Sequence, residues 1–142
     1  MDFSKGITPS GESLKNQKWT ILGEPYLPLH VSDSSMLMHA EFNVDSFVPT
    51  HVHDTQDEIL HILEGEMEFE TEGKVIKAGV GDTVTLPMGI PHSLHNRSGA
   101  LARALVVVSP VARMYDYMVA IDGMSDPAEV VRLGAEHEIR FV

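Results

Sequence analysis

Three histidines and one carboxylate stand in this chain at spacings that suit a single metal ion. His51 and His53 lie two residues apart in the run HVHDTQDE, so on a strand both imidazoles leave the same face. Glu58 follows a short polar run that can turn the chain back, and it opens the apolar stretch Ile59 to Leu63. His92 comes just after the turn-forming segment Pro87-Met88-Gly89. Four side chains on two hairpins would make a mononuclear site of nitrogen and oxygen donors.

The donor types limit the chemistry. The chain contains no cysteine, which removes thiolate zinc sites, iron–sulfur clusters, disulfides and cysteine nucleophiles together. Neutral imidazole and an anionic carboxylate suit one divalent transition metal from the set Fe, Mn, Ni, Co, Cu or Zn. Bound through His51, His53, Glu58 and His92, a five- or six-coordinate ion keeps positions open for water, dioxygen or an enol oxygen. Glu58 then has a possible second task as the catalytic base, since a carboxylate in apolar surroundings becomes more basic once no cation holds it ionised.

The same two segments resemble the two conserved motifs of the cupin superfamily. The first runs His51-Val52-His53, four residues, Glu58, six residues, Gly65; the second runs Gly81, five residues, Pro87-Met88-Gly89, two residues, His92, three residues, Asn96. One departure lies upstream, where Asp45 takes the position of a glycine often found six residues before the first histidine. The resemblance implies that His51, His53, Glu58 and His92 are the metal ligands and that the fold is all-β, a double-stranded β-helix (jelly-roll) barrel. A looser resemblance, from His51 through Pro110 and into the tail, is to small single-domain bacterial cupins of the quercetin-dioxygenase-like group. It implies oxygen-dependent cleavage of an aromatic or flavonol-like substrate, with an isomerase or decarboxylase, or a non-catalytic small-molecule-binding module, as alternatives.

The elements that must position these residues are legible from the pattern of apolar runs. Short runs at Trp19 to Leu22, Pro25 to Val31, Met36 to Phe42, Glu58 to Leu63, Glu66 to Glu70, Thr83 to Leu86 and Leu101 to Val108 read as strands. Turn-formers such as Glu72-Gly73-Lys74 and Asn96-Arg97-Ser98-Gly99 separate several of them. Leu101, Leu105, Val106, Val107 and Val108 leave no polar face at the end of their run, which calls for cover on both sides and predicts a homodimer. Beyond Pro110, the stretch Val111 to Ile121 fits a short helix or a strand over the barrel mouth. Asp126 reads as the N-cap of a helix with Pro127 at its first position and Glu129 in its first turn; Gly134 weakens that helix.

Three segments result: a polar arm over residues 1–16, a barrel over 17–110 and a C-terminal extension over 111–142 packed on it. The chain of 142 residues carries ten basic and twenty-one acidic side chains, a formal net charge of −11 at pH 7. That balance opposes binding to nucleic acid or anionic lipid, where phosphate neutralisation dominates. No run approaches the ~20 apolar residues of a membrane-crossing helix, and the start MDFSKGITPSGES lacks a leader pattern; the cytoplasm is the expected location. His39, Glu41 and Tyr115 are candidate proton-handling groups for the pocket, whereas His61 and His95 fall out of phase with the ligands. Leu60, Ile62, Leu86, Met88 and Leu94 are the expected apolar lining.

Overall fold

The computed structural model describes residues 6–142, and the first part of the expected N-terminal arm therefore lies outside the described residues. Among the described residues, eleven strands and two α-helices follow one another: β1 (Trp19–Ile21), β2 (Glu24–Val31), β3 (Met36–Phe42), β4 (Phe47–His53), β5 (Asp57–Glu64), β6 (Glu66–Thr71), β7 (Lys74–Gly79), β8 (Thr83–Leu86), β9 (His92–His95), β10 (Ala102–Ser109), α1 (Met114–Ile121), α2 (Pro127–Glu136) and β11 (Ile139–Phe141). They form a six-stranded sheet in the order β1-β2-β3-β10-β5-β8 and a five-stranded sheet in the order β11-β4-β9-β6-β7. Every pairing is antiparallel.

The expected barrel does not close. One sheet ends at β1 and β8 and the other at β11 and β7, with no ladder among the described residues joining the edges of the two. The chain turns its corners through loops instead, as at Gly79 to Asp82 between β7 and β8, where Gly79 N–H donates to the Asp82 carboxylate at 2.9 Å. The product is two open sheets sharing one core, an antiparallel cupin-like fold with two short helices.

Strand alternation decides which side chains enter that core. On β3, Met36, Met38, Ala40 and Phe42 are buried, while Leu37, His39 and Glu41 are half-buried on the outer face. Strand β10 alternates in the same way: Ala102, Ala104, Val106 and Val108 point inward, and Leu105 and Val107 lie outside between β3 and β5. Met67 and Phe69 of β6 face the core from the other sheet, with the glutamates between them turned out, as their alternation requires.

The C-terminal extension is helical where the sequence allowed helix or strand. Met114, Tyr117, Met118 and Ile121 are the buried residues of α1, an i, i+3, i+4, i+7 stripe laid against the sheets. Asp126 caps α2 as expected, its carboxylate accepting the Ala128 N–H at 3.0 Å. Gly134 has a packing reason: a Cβ at that position would lie 2.8 Å from the Ile139 carbonyl oxygen. Helix propensity is given up there so that β11 can return close to α2 and pair with β4.

Candidate metal centre

The four expected residues meet. One ligand atom each from His51, His53, Glu58 and His92 all lie within 4.8 Å of one another, and all four residues are buried. The two sheets share the work. His51 and His53 come from β4 and His92 from β9, where His51 and His92 are direct cross-strand partners. Glu58 comes from β5 of the opposite sheet, on the inward parity it shares with Leu60 and Ile62. A register shift between Val48 and His51 sets the β4 histidines against β9, the usual use of a bulge beside a site.

Each imidazole is fixed by its Nδ1. His51 Nδ1 is 2.8 Å from the Pro49 carbonyl oxygen, His92 Nδ1 is 3.2 Å from that of Ile90, and His53 Nδ1 is 3.0 Å from the Gln56 side-chain oxygen. With Nδ1–H donating in all three, every Nε2 lone pair is directed toward the cluster. His92 Nε2 is buried with no hydrogen-bond partner, and His53 Nε2 sits 2.7 Å from a Glu58 oxygen. An orphaned imidazole nitrogen, two further imidazoles and a carboxylate converging on one point fit a divalent cation.

Electrostatics keep this donor set poised for a cation. Burial drives the His51 pKa down to about 4, against the pull of Glu58, so that ring is neutral at pH 7. Burial likewise lowers His92. For His53 burial acts downward too, but the Glu58 charge and the hydrogen bonds its ring donates to the Glu58 and Gln56 oxygens outweigh it and raise the pKa. Burial also opposes ionisation of Glu58, yet the His53 charge and hydrogen bond, helped by His92 and His51, hold it at about 2. Glu58 is therefore an anion at neutral pH.

A cavity of about 680 Å³ opens on His51, His53 and Glu58. Its walls come from both sheets, both helices and β11, and include Tyr26, Phe42, Leu60, Leu94, Tyr117 and Phe141. Of the expected apolar lining, Leu60 and Leu94 are there. Ile62 is core, Leu86 borders a separate small cavity that touches His92, and Met88 is 46% exposed. His39 and Glu41 do not reach the cavity because their parity on β3 is outward. Tyr115 points elsewhere, its hydroxyl donating to the Gln17 side-chain oxygen at 2.9 Å and its ring edge-on to Trp19. His61 and His95 are outside, as their phase required: His61 bonds Thr83, and His95 stacks on Phe47.

Other residues near the site were not signalled by motif. Gln56 is buried and spans from His53 to the carbonyl oxygen of Val111, to which its amide donates, tying a candidate ligand to the start of the C-terminal extension. Phe141 on β11 packs its ring 5.2 Å from that of His51. Tyr117 is held by its hydroxyl on the Val130 carbonyl oxygen at 2.8 Å. Asp45, in place of the family glycine, adopts φ +64°, a left-handed conformation that an aspartate tolerates. Fully buried Asn96 fastens the same corner, donating to the carbonyl oxygens of Phe42, Asn43 and Ala100.

Fold and cluster together describe a cupin, and the comparisons agree. The Cupin domain family model matches residues 38–108, half of the chain, and the protein belongs to that family. Its sequence is 27% identical over 79 residues to the tetracenomycin polyketide synthase protein TcmJ of Streptomyces glaucescens, covering 56% of this chain and 53% of TcmJ; the chain thus spans about half the length of that curated relative. Among solved structures, an RmlC-like cupin from Shewanella frigidimarina superposes with a TM-score of 0.68 at 16% identity, over 79% of this chain and 96% of the other. The DMSP lyase DddQ from Ruegeria pomeroyi matches at 34% identity and a TM-score of 0.50, over 55% of this chain and 39% of DddQ.

Proposed function

We propose that His51, His53, Glu58 and His92 bind one divalent transition metal and that the protein is a dioxygenase acting on a hydrophobic or aromatic enol, diketone or flavonol-like molecule. One observation carries this reading: three imidazoles and a carboxylate converge within 4.8 Å, and His51, His53 and Glu58 of that cluster line a large cavity with many apolar residues. When bound, a redox-capable ion such as Fe, Mn, Co, Ni or Cu would supply Lewis acidity toward a substrate oxygen and access to dioxygen chemistry. The chain supplies the remainder. Phe42, Leu60, Leu94 and Phe141 exclude water from the substrate, and Glu58, ionised at neutral pH, accepts the proton of the substrate hydroxyl at its carboxylate oxygen. The relationship to a polyketide synthase protein supports a substrate of the polyketone or phenolic kind.

The test is metal analysis of untagged protein, followed by oxygen-electrode assays of flavonols, catechols and β-diketones with Fe, Mn, Co, Ni and Cu loaded in turn. Oxygen uptake on at least one substrate is the expected result. Glu58→Gln, brought to full metal occupancy, should then turn over roughly 10²-fold more slowly; equal turnover would exclude the base role, and no uptake with any pair would exclude the dioxygenase. A second reading, acid–base isomerisation or decarboxylation, draws on Tyr26 and Glu58 lining the same cavity. It predicts substrate conversion without oxygen consumption.

The homodimer belongs to the same proposal. Leu37, Ile59, Leu105 and Val107 are half-buried neighbours on the outer face of the six-stranded sheet, with Val107 paired to both Leu37 and Ile59. A second copy laid on this face would complete their burial. Light scattering should give twice the chain mass of 15.6 kDa, and Val107→Glu should return the monomer. A wild-type mass equal to one chain at micromolar concentration would reject it.

A further inference from the structure

The cavity has a chemical bias that the metal ligands do not account for. No lysine or arginine lines it among the described residues, and its ionisable side chains other than histidine and tyrosine are all acidic: Glu24, Asp45 and Glu58. Glu24 is already committed, its carboxylate accepting the Asn43 N–H at 2.7 Å and the Ser46 hydroxyl at 2.6 Å. A carboxylate, phosphate or sulfonate away from the metal end would meet negative charge and no counter-ion, a desolvation cost without return.

Its mouth is apolar and open. Leu22, Val44, Phe47 and Val131 all line the cavity, yet they are 43%, 50%, 61% and 40% exposed. They come from the β1–β2 turn, the segment before β4, the start of β4, and α2, so residues far apart in the chain place large hydrophobic side chains around one opening. Such convergence marks a place where an apolar surface is covered in use. A volume of about 680 Å³ falls within the ~300–1,000 Å³ range of pockets that enclose drug-sized ligands.

One polar group in the wall is free for such a ligand. Tyr26 stands on β2 between Pro25 and Pro28 and points inward, opposite Ala40. Its ring is braced edge-on by Phe42 with centroids 6.3 Å apart. No hydrogen bond engages its hydroxyl among the described residues, in contrast to the tethered hydroxyls of Tyr117 and Ser46. Burial, with the charges of Glu24 and Glu58, raises its pKa, so the phenol remains a donor throughout the neutral range.

We infer that the cavity receives an uncharged, bulky, largely apolar molecule that passes Leu22, Val44, Phe47 and Val131 and is oriented by a hydrogen bond from the Tyr26 phenol to one of its oxygens. This deepens the proposed function and takes the substrate end at the metal cluster from it. Acyl thioesters of nucleotide carriers, sugar nucleotides and acidic sugars are excluded by their charge, whatever the reaction.

Binding alone tests it, without turnover. Fluorescence titrations of the metal-free and zinc-loaded protein compare N-phenylnaphthylamine with anilinonaphthalenesulfonate, two probes of one skeleton differing by an anionic group. The neutral probe should bind at least roughly tenfold tighter in both forms. Phe47→Lys, at the most exposed rim position, should narrow or invert that preference. Tyr26→Phe should weaken flavonol binding by roughly fivefold, the worth of one hydrogen bond, and weaken N-phenylnaphthylamine less. Equal or tighter sulfonate binding, or no binding of either probe, overturns the ligand class; equal losses for both ligands in Tyr26→Phe overturn the orienting bond. Failure of the oxygen assay with these results intact would refute the dioxygenase and leave the ligand class standing.

Discussion

His51→Ala should purify as a folded protein that no longer retains a stoichiometric divalent ion. Two features set the size of this effect. His51 faces His92 across the β4–β9 ladder with ring centroids 4.5 Å apart, and it is 5% exposed, so no neighbouring side chain can swing in to replace it. Losing it also removes one of the four proposed metal donors, which should cost more than the ~10–100-fold in affinity typical of losing an outer partner. Gln56→Leu supplies the calibration: the His53 ring loses the acceptor on its Nδ1, while all four donors remain. Competition titration with a chromogenic chelator should rank wild type above Gln56→Leu and Gln56→Leu above His51→Ala. Full metal content and unchanged affinity in His51→Ala would remove His51 from the ligand set.

The cluster was legible because its signals are local and periodic. Two histidines on one parity, a carboxylate opening the next strand and a histidine after a Pro-Gly turn are all readable within short windows, and β4, β5 and β9 deliver them as read. Closure of the barrel was not legible. Whether β8 meets β7 or β1 meets β11 depends on how corner loops aim whole strands, and no residue pattern inside those strands records it. The short strands β7, β9 and β11 were missed for another reason: Lys74–Gly79 is mostly exposed, His92–His95 is brief and polar, and Ile139–Phe141 has only three residues. On β3 the opening Met36-Leu37-Met38 is apolar on both parities, so the run by itself does not fix which way His39 and Glu41 face; the burial of Ala40 and Phe42 turns both outward. Val111 to Ile121 reads equally as strand or helix, so the sequence does not fix which way Tyr115 faces; as a helix, its buried stripe runs through Met114, Tyr117, Met118 and Ile121 and leaves Tyr115 out. Tyr26 carried no motif at all.

The metal-free protein should lose stability as the pH falls from 6.5 toward 4, and the cause is in the cluster. Burial lowers His51 from 6.5 to about 4, so the unfolded chain binds its proton first on acidification. The contribution is fully present above pH 6.5 and is lost as pH falls through the folded value, a difference on the order of 3 kcal/mol. His92, also lowered by burial, acts in the same direction over the same approach. His53, raised by Glu58 and Gln56 against its burial, acts oppositely: its contribution is present below 6.5 and fades as pH rises through its folded pKa. Glu58 enters last, since its pKa falls from 4.5 to about 2 and its contribution survives until the pH passes below 4.5. Below pH 6.5 His53 is protonated in the folded and unfolded chain alike and adds no slope, so the two lowered histidines give a net decline between pH 6.5 and 4. Urea denaturation in the presence of chelator, repeated across that range, should show the decline in wild type and a shallower one in His51→Gln, which has no proton to take up. Zinc should raise stability at pH 7 by mass action, and the increment should shrink on acidification as protons compete for the imidazoles. A flat profile for the metal-free wild type, or an identical slope in His51→Gln, would show that the His51 imidazole is not held neutral by its burial in the cluster.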